Sequence, residues 1–226
     1  MRLKNIFTFS NFIKAVAKYP TFCNQKSPNN TSTLDDLCKI ELATLFAHIT
    51  QETGGHSPWD AKHGKPEYQQ SFVHAYEIGC DKNPSACNGY NGACNRLPWS
   101  KQYPCGQGQY YFGRGPLQCS WSYNYGAFSY SAFGTVRKLL DNPELVATDG
   151  SIGFMSALWF FMTPQTPKPS MHEVLVGLWK PNSVDMQFGY QTGFGATISI
   201  INGAIECGRE TNHASNRVKY FKEWLN

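Results

Sequence analysis

Two glutamates in this sequence have the surroundings that acid–base chemistry needs, and the first is Glu52. It lies seven residues after Leu45 and three after Ile49, which places it on the apolar face of a predicted helix. It also falls in the last turn before Gly54-Gly55, at the negative end of the helix dipole. Partial burial and the dipole both favour the protonated carboxyl, as a general acid requires. The alternative interpretation is a solvated residue at a frayed helix end.

The second glutamate is Glu77, which has aromatic and apolar neighbours in the segment 75–79 and is followed closely by Cys80. A disulfide at Cys80 would fix its position. Glycoside hydrolysis needs two carboxyl groups, and inversion places them about 6.5–9.5 Å apart with a water between. Glu52 and Glu77 are 25 positions apart in the sequence, so they can lie on different elements with such a gap between them. The alternative is an ordinary surface glutamate or salt-bridge partner.

Helical periodicity and capping residues predict the elements that would position these groups. Thr33 and Asp36 form an S/T-x-x-acidic cap before the helix that carries Glu52, and Ser170 with Glu173 caps a shorter helix. Further helices are predicted over 10–18, 136–140, 151–162 and 217–225. No alternating pattern runs long enough to predict strands, so the predicted class is mainly α.

Eight cysteines are the second structural signal: Cys23, Cys38, Cys80, Cys87, Cys94, Cys105, Cys119 and Cys207. An even number without a C-x-x-C pair favours disulfides over zinc, with free buried thiols as the alternative. Four of them fall in an Asn-, Gly- and Pro-rich stretch with little periodicity, which predicts a crosslinked loop over 80–108. The sequence leaves the pairing open. The overlapping sequons at Asn29 and Asn30 also fit a secreted chain.

Composition excludes several functional classes. The chain has 226 residues and a net charge of +4, far from the basic footprint of nucleic-acid-binding proteins. Its longest nearly apolar run, 154–162, is about half of what a membrane helix needs. Ser10, Asn11 and Lys14 interrupt any apolar core of a signal peptide, so we expect a secreted protein whose leader is absent from this chain. We expect no metal, because the six histidines are scattered, and no cofactor.

A set of segments spread over nearly the whole chain resembles the glycoside hydrolase family 19 chitinases. The matching segments are FAHITQETGG at 46–55, YYFGRGPLQ at 110–118, SWSYNYG at 120–126, DNPELVATD at 141–149, ALWFFMTP at 157–164, IING at 200–203, ECG at 206–208 and Asn216-Arg217. The resemblance implies a lysozyme-like, two-lobed helical fold with a substrate cleft and disulfide-linked loops. It also implies endo-type cleavage of β-1,4-linked N-acetylglucosamine with inversion, by a monomer acting on chitin or its oligosaccharides. We expect one catalytic domain over 1–226 and no separate chitin-binding module.

The resemblance also carries residue roles. Glu52 matches the general acid, Glu77 the general base, and Ser120 the hydroxyl that helps to hold the attacking water. The matching sugar-binding positions are Gln118, Tyr123, Asn124 and Asn202, and Tyr103 and Tyr111 are aromatic candidates for stacking on sugar rings. Glu206 and Arg217 match charged residues around the acid, and we expect them to form an ion pair near Glu52.

Four positions depart from the family pattern. Gln51 stands where the family usually has His, one Thr is missing after Glu52, Tyr103 replaces a Trp, and Cys119 replaces an apolar residue. Two other functions therefore stay open. One is a non-catalytic chitin-binding relative, and the other is a lysozyme-like hydrolase of peptidoglycan.

Overall fold

The computed structural model describes residues 6–28, 32–54 and 66–226, and this part of the chain is mainly helical. The helices are α1 Phe9–Val16, α2 Leu34–Thr53, α3 Trp99–Gln102, α4 Ser122–Phe133, α5 Arg137–Asp141, α6 Leu145–Thr148, α7 Gly150–Met162, α8 Met171–Leu175, α9 Ser183–Gln187, α10 Phe194–Glu206 and α11 Asn212–Leu225. Two 3₁₀ segments cover Glu67–Gln69 and Pro84–Asn95. Within the described residues, β-pairing is limited to isolated bridges. The predicted class is confirmed.

Capping chemistry fixes several of the helix boundaries. The boxes at Thr33 with Asp36 and at Ser170 with Glu173 are both present, each with two reciprocal hydrogen bonds, as predicted. The first helix begins earlier than predicted, because Thr8, rather than Ser10, caps it by accepting from the backbone N–H of Asn11. Helix α4 was not predicted. The sequons at Asn29 and Asn30, like Gly55, lie outside the described residues.

The chain divides into two compact units. The first comprises Met1–Lys18 and Phe72–Trp159, and the second comprises Tyr19–Ser71 and Phe160–Asn226. A cluster of aromatic rings forms part of the core of the first: Phe7, Phe12, Phe72 and Phe154. In the second unit α2 packs along α11, with Leu45, Ile49 and Tyr220 fully buried. No helix in the described part is both long and apolar enough to span a bilayer.

Disulfides close three short loops, Cys23–Cys38, Cys80–Cys87 and Cys94–Cys105. The last two lie in the predicted crosslinked stretch, which is therefore confirmed. The even number of cysteines predicted disulfides throughout, and this prediction is wrong for two of them, because Cys119 and Cys207 are free thiols. Burial raises the pKa of Cys119 to about 12, so this thiol stays protonated at neutral pH.

A buried carboxylate ties the first disulfide loop to α8. Glu41 of α2 accepts from the backbone N–H of Cys23 at 2.8 Å, and its other oxygen lies 2.5 Å from Nδ1 of His172. Only 1% of Glu41 is exposed. Both of its oxygens are therefore used in holding two other segments against α2.

We expect Glu41→Gln to lower the free energy of unfolding by about 1–3 kcal/mol, because an amide offers one acceptor oxygen in place of two. Urea titration followed by circular dichroism measures this. Glu210→Gln, in an exposed loop, is the matched control and should change stability by less than about 0.5 kcal/mol. Equal stability of the Glu41→Gln variant and the unsubstituted protein would contradict the assigned role of the buried contact.

Candidate active site

Glu52 lies in the last turn of α2, where the sequence placed it. The helix ends at Thr53, and the backbone N–H of its C-cap, Gly54, donates to the carbonyl of Thr50 at 2.8 Å. The Glu52 side chain keeps 21% of its surface exposed, and its Oε1 accepts a hydrogen bond from Nη2 of Arg217. Glu52 is thus a half-buried carboxyl group with one side joined to a cation.

Arg217 is the centre of the network behind Glu52. Its Nε and Nη2 donate to the two oxygens of Glu206 at 2.9 Å each, which is a bidentate ion pair between side chains that are 1% and 0% exposed. The expected ion pair is confirmed. Asn202 donates from Nδ2 to Glu206 Oε1 at 2.8 Å. The backbone of α10 is non-helical at Asn202, four residues before Glu206.

Electrostatics keep this pair ionised. Burial alone would raise the pKa of Glu206, but hydrogen bonds from Arg217 and Asn202 lower it below its ordinary value. Burial opposes the charge of Arg217 as well, and the carboxyl groups of Glu52 and Glu206 more than offset it, so that its pKa is raised. Arg217 and Glu206 therefore cancel each other's charge inside the protein.

Glu77 is held by the first unit through both of its carboxylate oxygens. Oε2 accepts from the backbone N–H of Gly113 at 3.0 Å, and Oε1 accepts from the hydroxyl of Tyr90 at 2.9 Å. The backbone N–H of Glu77 also donates to the carbonyl of Gly113 at 2.8 Å. Both partners of the carboxylate are neutral donors, one a backbone N–H and the other a phenol hydroxyl, so the first unit fixes the orientation of the carboxylate through both oxygens.

Arg114 organises the turn against which Glu77 lies. The residue is 1% exposed, its Nη2 lies 2.6 Å from Glu144 Oε1, and its guanidinium carbon lies 3.7 Å from the centre of the Phe112 ring. Gly115 takes a φ of +76°, and a Cβ there would lie 2.8 Å from Val146 Cγ1. Residues 115–118 therefore form a tight turn, which the bridge between Arg114 and Cys119 closes beside the buried guanidinium.

Ser120 follows this turn. Cys119 exchanges two backbone hydrogen bonds with Arg114. The neighbour of Arg114, Gly113, is the residue whose backbone is bonded to Glu77, so Ser120 follows directly after the segment paired with this backbone. Gln118 and Trp121 both have left-handed backbones, with φ of 49° and 69°. Such conformations are costly for residues other than glycine and cluster at functional sites.

Two amides line the same stretch. Gln118 donates from Nε2 to the carbonyl of Gly115 at 2.9 Å, and Asn124 donates from Nδ2 to the carbonyl of Ser120 at 3.0 Å. Each bond uses one hydrogen of the amide group. Both side chains are therefore fixed in orientation and half-buried.

Aromatic rings gather beside these groups. Tyr123 lies parallel to Trp121, with ring centres 6.2 Å apart, and Trp99 packs against it at 5.4 Å. Trp121 also meets the edge of Tyr90 at 5.2 Å, so the cluster reaches the tyrosine that donates to Glu77. Trp99 is 40% exposed, which suits a ring that could stack on a sugar face.

Two further tyrosines were expected to bind substrate, and their positions differ. Tyr103 is half-buried and packs against Gly126 of α4, where a Cβ would overlap its ring. Tyr111 is fully buried, and its hydroxyl donates to the carbonyl of Leu140 and accepts from the N–H of Gly106, both at 2.7 Å. The expectation for Tyr111 is therefore wrong, because the ring and the hydroxyl are both used within the fold.

The predicted site residues fall into two groups, one in each unit. Glu52, Asn202, Glu206 and Arg217 form one connected network in the second unit. The first unit holds Glu77, Ser120 and the sugar-binding candidates Tyr103, Gln118, Tyr123 and Asn124. The sequence did not reveal the roles of Tyr90 and Arg114 in the first unit. No local pattern marks the contact of Tyr90 with a glutamate 13 residues away.

Comparison with known proteins places this geometry in context. The sequence model of the class I chitinase family, glycoside hydrolase family 19, matches residues 1–226. Endochitinase 1 of Theobroma cacao is 37% identical over 222 residues, covering 98% of this chain and 61% of its own. An endochitinase of Solanum tuberosum is 40% identical, covering 98% of this chain and 60% of its own. The chain thus spans about 60% of the length of these curated relatives.

Two solved chitinase structures share the fold of this chain. A class IV family 19 chitinase from Zea mays superposes with a TM-score of 0.63 at 32% identity, covering 98% of this chain and 81% of its own. Chitinase C from Streptomyces griseus superposes with a TM-score of 0.67 at 25% identity, covering 97% and 69%.

Proposed function

The chain belongs to the class I chitinases of glycoside hydrolase family 19, and we propose that it hydrolyses β-1,4-linked N-acetylglucosamine polymers by an endo-acting, inverting reaction. We further propose that residues 1–226 act as one catalytic domain, with Glu52 as the general acid and Glu77 as the general base. The observation that carries the proposal is the contact of half-buried Glu52 with Arg217, whose charge the buried Glu206 already balances.

Charge balance supports Glu52 as the acid. The cluster contains one guanidinium and two carboxyl groups, so it is neutral when one carboxyl carries a proton. Glu206 is held ionised by three hydrogen bonds, whereas Glu52 makes one contact with Arg217 and keeps part of its surface exposed. Of the two carboxyl groups, Glu52 is the one with surface that a substrate can reach, which supports it as the proton donor.

Arg217 stabilises the negative charge that develops on the Glu52 carboxyl when the proton leaves. Glu52 gives its proton to the oxygen of the glycosidic bond that breaks, and negative charge grows on its carboxyl beside the guanidinium. A fixed cation stabilises this developing charge more than it stabilises the neutral ground state, which lowers the barrier. The guanidinium needs no reorganisation, because Glu206 already holds it.

The opposite half of the reaction needs a carboxylate that takes a proton. Glu77 accepts a proton from water, the water oxygen bonds to the anomeric carbon from the face opposite the leaving group, and the product is the α-anomer. Ser120 helps to hold that water. Gln118, Asn124 and Asn202 pair with hydroxyl and acetamido groups of the sugar, while Tyr123 and Tyr103 stack on its rings.

The same proposal covers partners and place of action. Three disulfides support an oxidising compartment, so we propose that the protein is secreted and works as a monomer on chitin or its oligosaccharides. Nucleic acid and membranes are not among the proposed partners.

Hydrolysis of a defined N-acetylglucosamine hexamer tests the function, with the product anomers followed by proton NMR from the first minutes. We expect the α-anomer to appear first. The β-anomer first would overturn the inverting mechanism, and binding without turnover would favour a non-catalytic chitin-binding protein. Faster clearing of bacterial cell walls than of chitin would favour a peptidoglycan hydrolase.

A further inference from the structure

His48 occupies a buried position one helical turn before Glu52 on α2. None of its surface is exposed, and its ring stacks on Phe194 with ring centres 5.3 Å apart and planes 11° from parallel. Phe194 in turn stacks on Phe221 of α11 at 4.3 Å. This stacking fixes the plane of the imidazole ring. Each of the two ring nitrogens lies within hydrogen-bond distance of a polar side chain.

The partners determine which nitrogen carries the hydrogen. Nη1 of Arg217 lies 3.1 Å from Nδ1 of His48, and a guanidinium can only donate, so Nδ1 accepts. Nε2 lies 2.9 Å from the hydroxyl of Thr197, which itself donates to the carbonyl of Phe194 at 2.6 Å. The imidazole hydrogen therefore lies on Nε2 and is donated to Thr197.

The neutral form of His48 is favoured by its surroundings. Burial, together with the positive charge of Arg217, lowers the pKa of His48 well below its ordinary value. A charged imidazole would carry a hydrogen on Nδ1 and would repel the guanidinium. The contact between the two side chains consequently requires an uncharged His48.

We propose that His48 is a positioning residue that holds Arg217, through an acceptor nitrogen, at the angle from which Nη2 meets Glu52. This inference rests on the proposed function, because it assigns His48 a role in the same proton transfer. Glu206 fixes one edge of the planar guanidinium, and His48 fixes Nη1 outside that edge. If Nη1 lost its buried acceptor, the whole group would shift to find another, and the Nη2 contact with Glu52 would move with it.

Three substitutions at this position separate the two hydrogen bonds. In His48→Asn the amide oxygen can stand near Nδ1 and accept from Arg217, whereas in His48→Gln the amide nitrogen can stand near Nε2 and donate to Thr197. His48→Leu offers neither. If the acceptor is what matters, we expect His48→Asn to lose less than about threefold in kcat on the hexamer, and the other two to lose about 10- to 100-fold with KM changed less than about twofold.

A merely structural role would give another pattern. All three variants remove the stack on Phe194, so we expect their melting temperatures to fall by similar amounts. If His48 had only this packing role, kcat would also fall by similar amounts in all three. Equal losses of kcat in His48→Asn and His48→Gln would overturn the proposal, and so would a loss expressed only in KM.

A second measurement does not depend on activity. Nitrogen-15 NMR of the unsubstituted protein at neutral pH should show an uncharged His48 with its hydrogen on Nε2, and a hydrogen on Nδ1 would overturn the proposal. Should the unsubstituted protein fail to cleave the hexamer, the proposed function fails, while the tautomer and the position of the Arg217 signals in His48→Leu still decide the role of His48.

Discussion

Replacing Glu52 with glutamine should lower kcat on an N-acetylglucosamine hexamer by about 100- to 10,000-fold, which is the usual contribution of a general acid. The amide has nearly the shape of the carboxyl, and its oxygen can still accept from Nη2 of Arg217. Glu206 keeps Arg217 in place. The variant therefore lacks the transferable proton while its fold and its affinity for the oligomer stay close to those of the unsubstituted protein.

Steady-state kinetics and calorimetric titration of the oligomer measure the two parts of this prediction. Glu67→Gln is a matched control from the same unit, because Glu67 pairs with Lys219 at 2.8 Å on the surface, with 44% of its side chain exposed. We expect the control to stay within about twofold in kcat, since exposed ion pairs contribute little. A Glu52→Gln protein that retains a tenth or more of the original turnover would rule out the acid assignment.

Replacing Glu77 with glutamine is expected to produce a second loss of about 100- to 10,000-fold in kcat, because the amide takes no proton from water. The amide oxygen can keep the bond from the N–H of Gly113, and its nitrogen can donate to the Tyr90 hydroxyl, which rotates to accept. The melting temperature should therefore change little.

Asp81→Asn, an exposed substitution four residues farther along the same stretch, serves as the matched control and should leave kcat within about twofold. The comparison with Glu67→Gln also decides the identity of the base. Loss of turnover in Glu67→Gln with normal turnover in Glu77→Gln would show that the base has been assigned to the wrong glutamate.

Local signals in the sequence account for much of the second unit. Thr33 with Asp36 starts α2 and Gly54 ends it, so the end-of-helix position of Glu52 follows from residues close to it in sequence. The partners of Glu52, in contrast, do not follow from residues close to it in sequence. Arg217 lies 165 residues away, and it was found only through the resemblance to a family and not through any periodic pattern.

The first unit was harder to predict, because its geometry depends on backbone conformations that composition does not reveal. The left-handed residues Gln118 and Trp121 interrupt any periodic pattern just before α4, and Gly126 within that helix weakens the helical signal further. Tyr111 illustrates a related error. Its type suits sugar stacking, but the fold buries it completely, and burial of one tyrosine among several neighbours cannot be read from sequence.

The order of the three disulfides has a consequence for how the protein acquires them. Each joins a cysteine to the next one along the chain, and no loop exceeds a separation of 15 residues. A polypeptide that emerges N-terminus first into an oxidising lumen therefore meets the correct partner thiol first at each step, at a small entropic cost of closure. Cys119 and Cys207 arrive after all three crosslinks can have formed. Vectorial synthesis thus favours the native connectivity without reshuffling, whereas a fully reduced chain refolding from denaturant presents eight competing thiols at once.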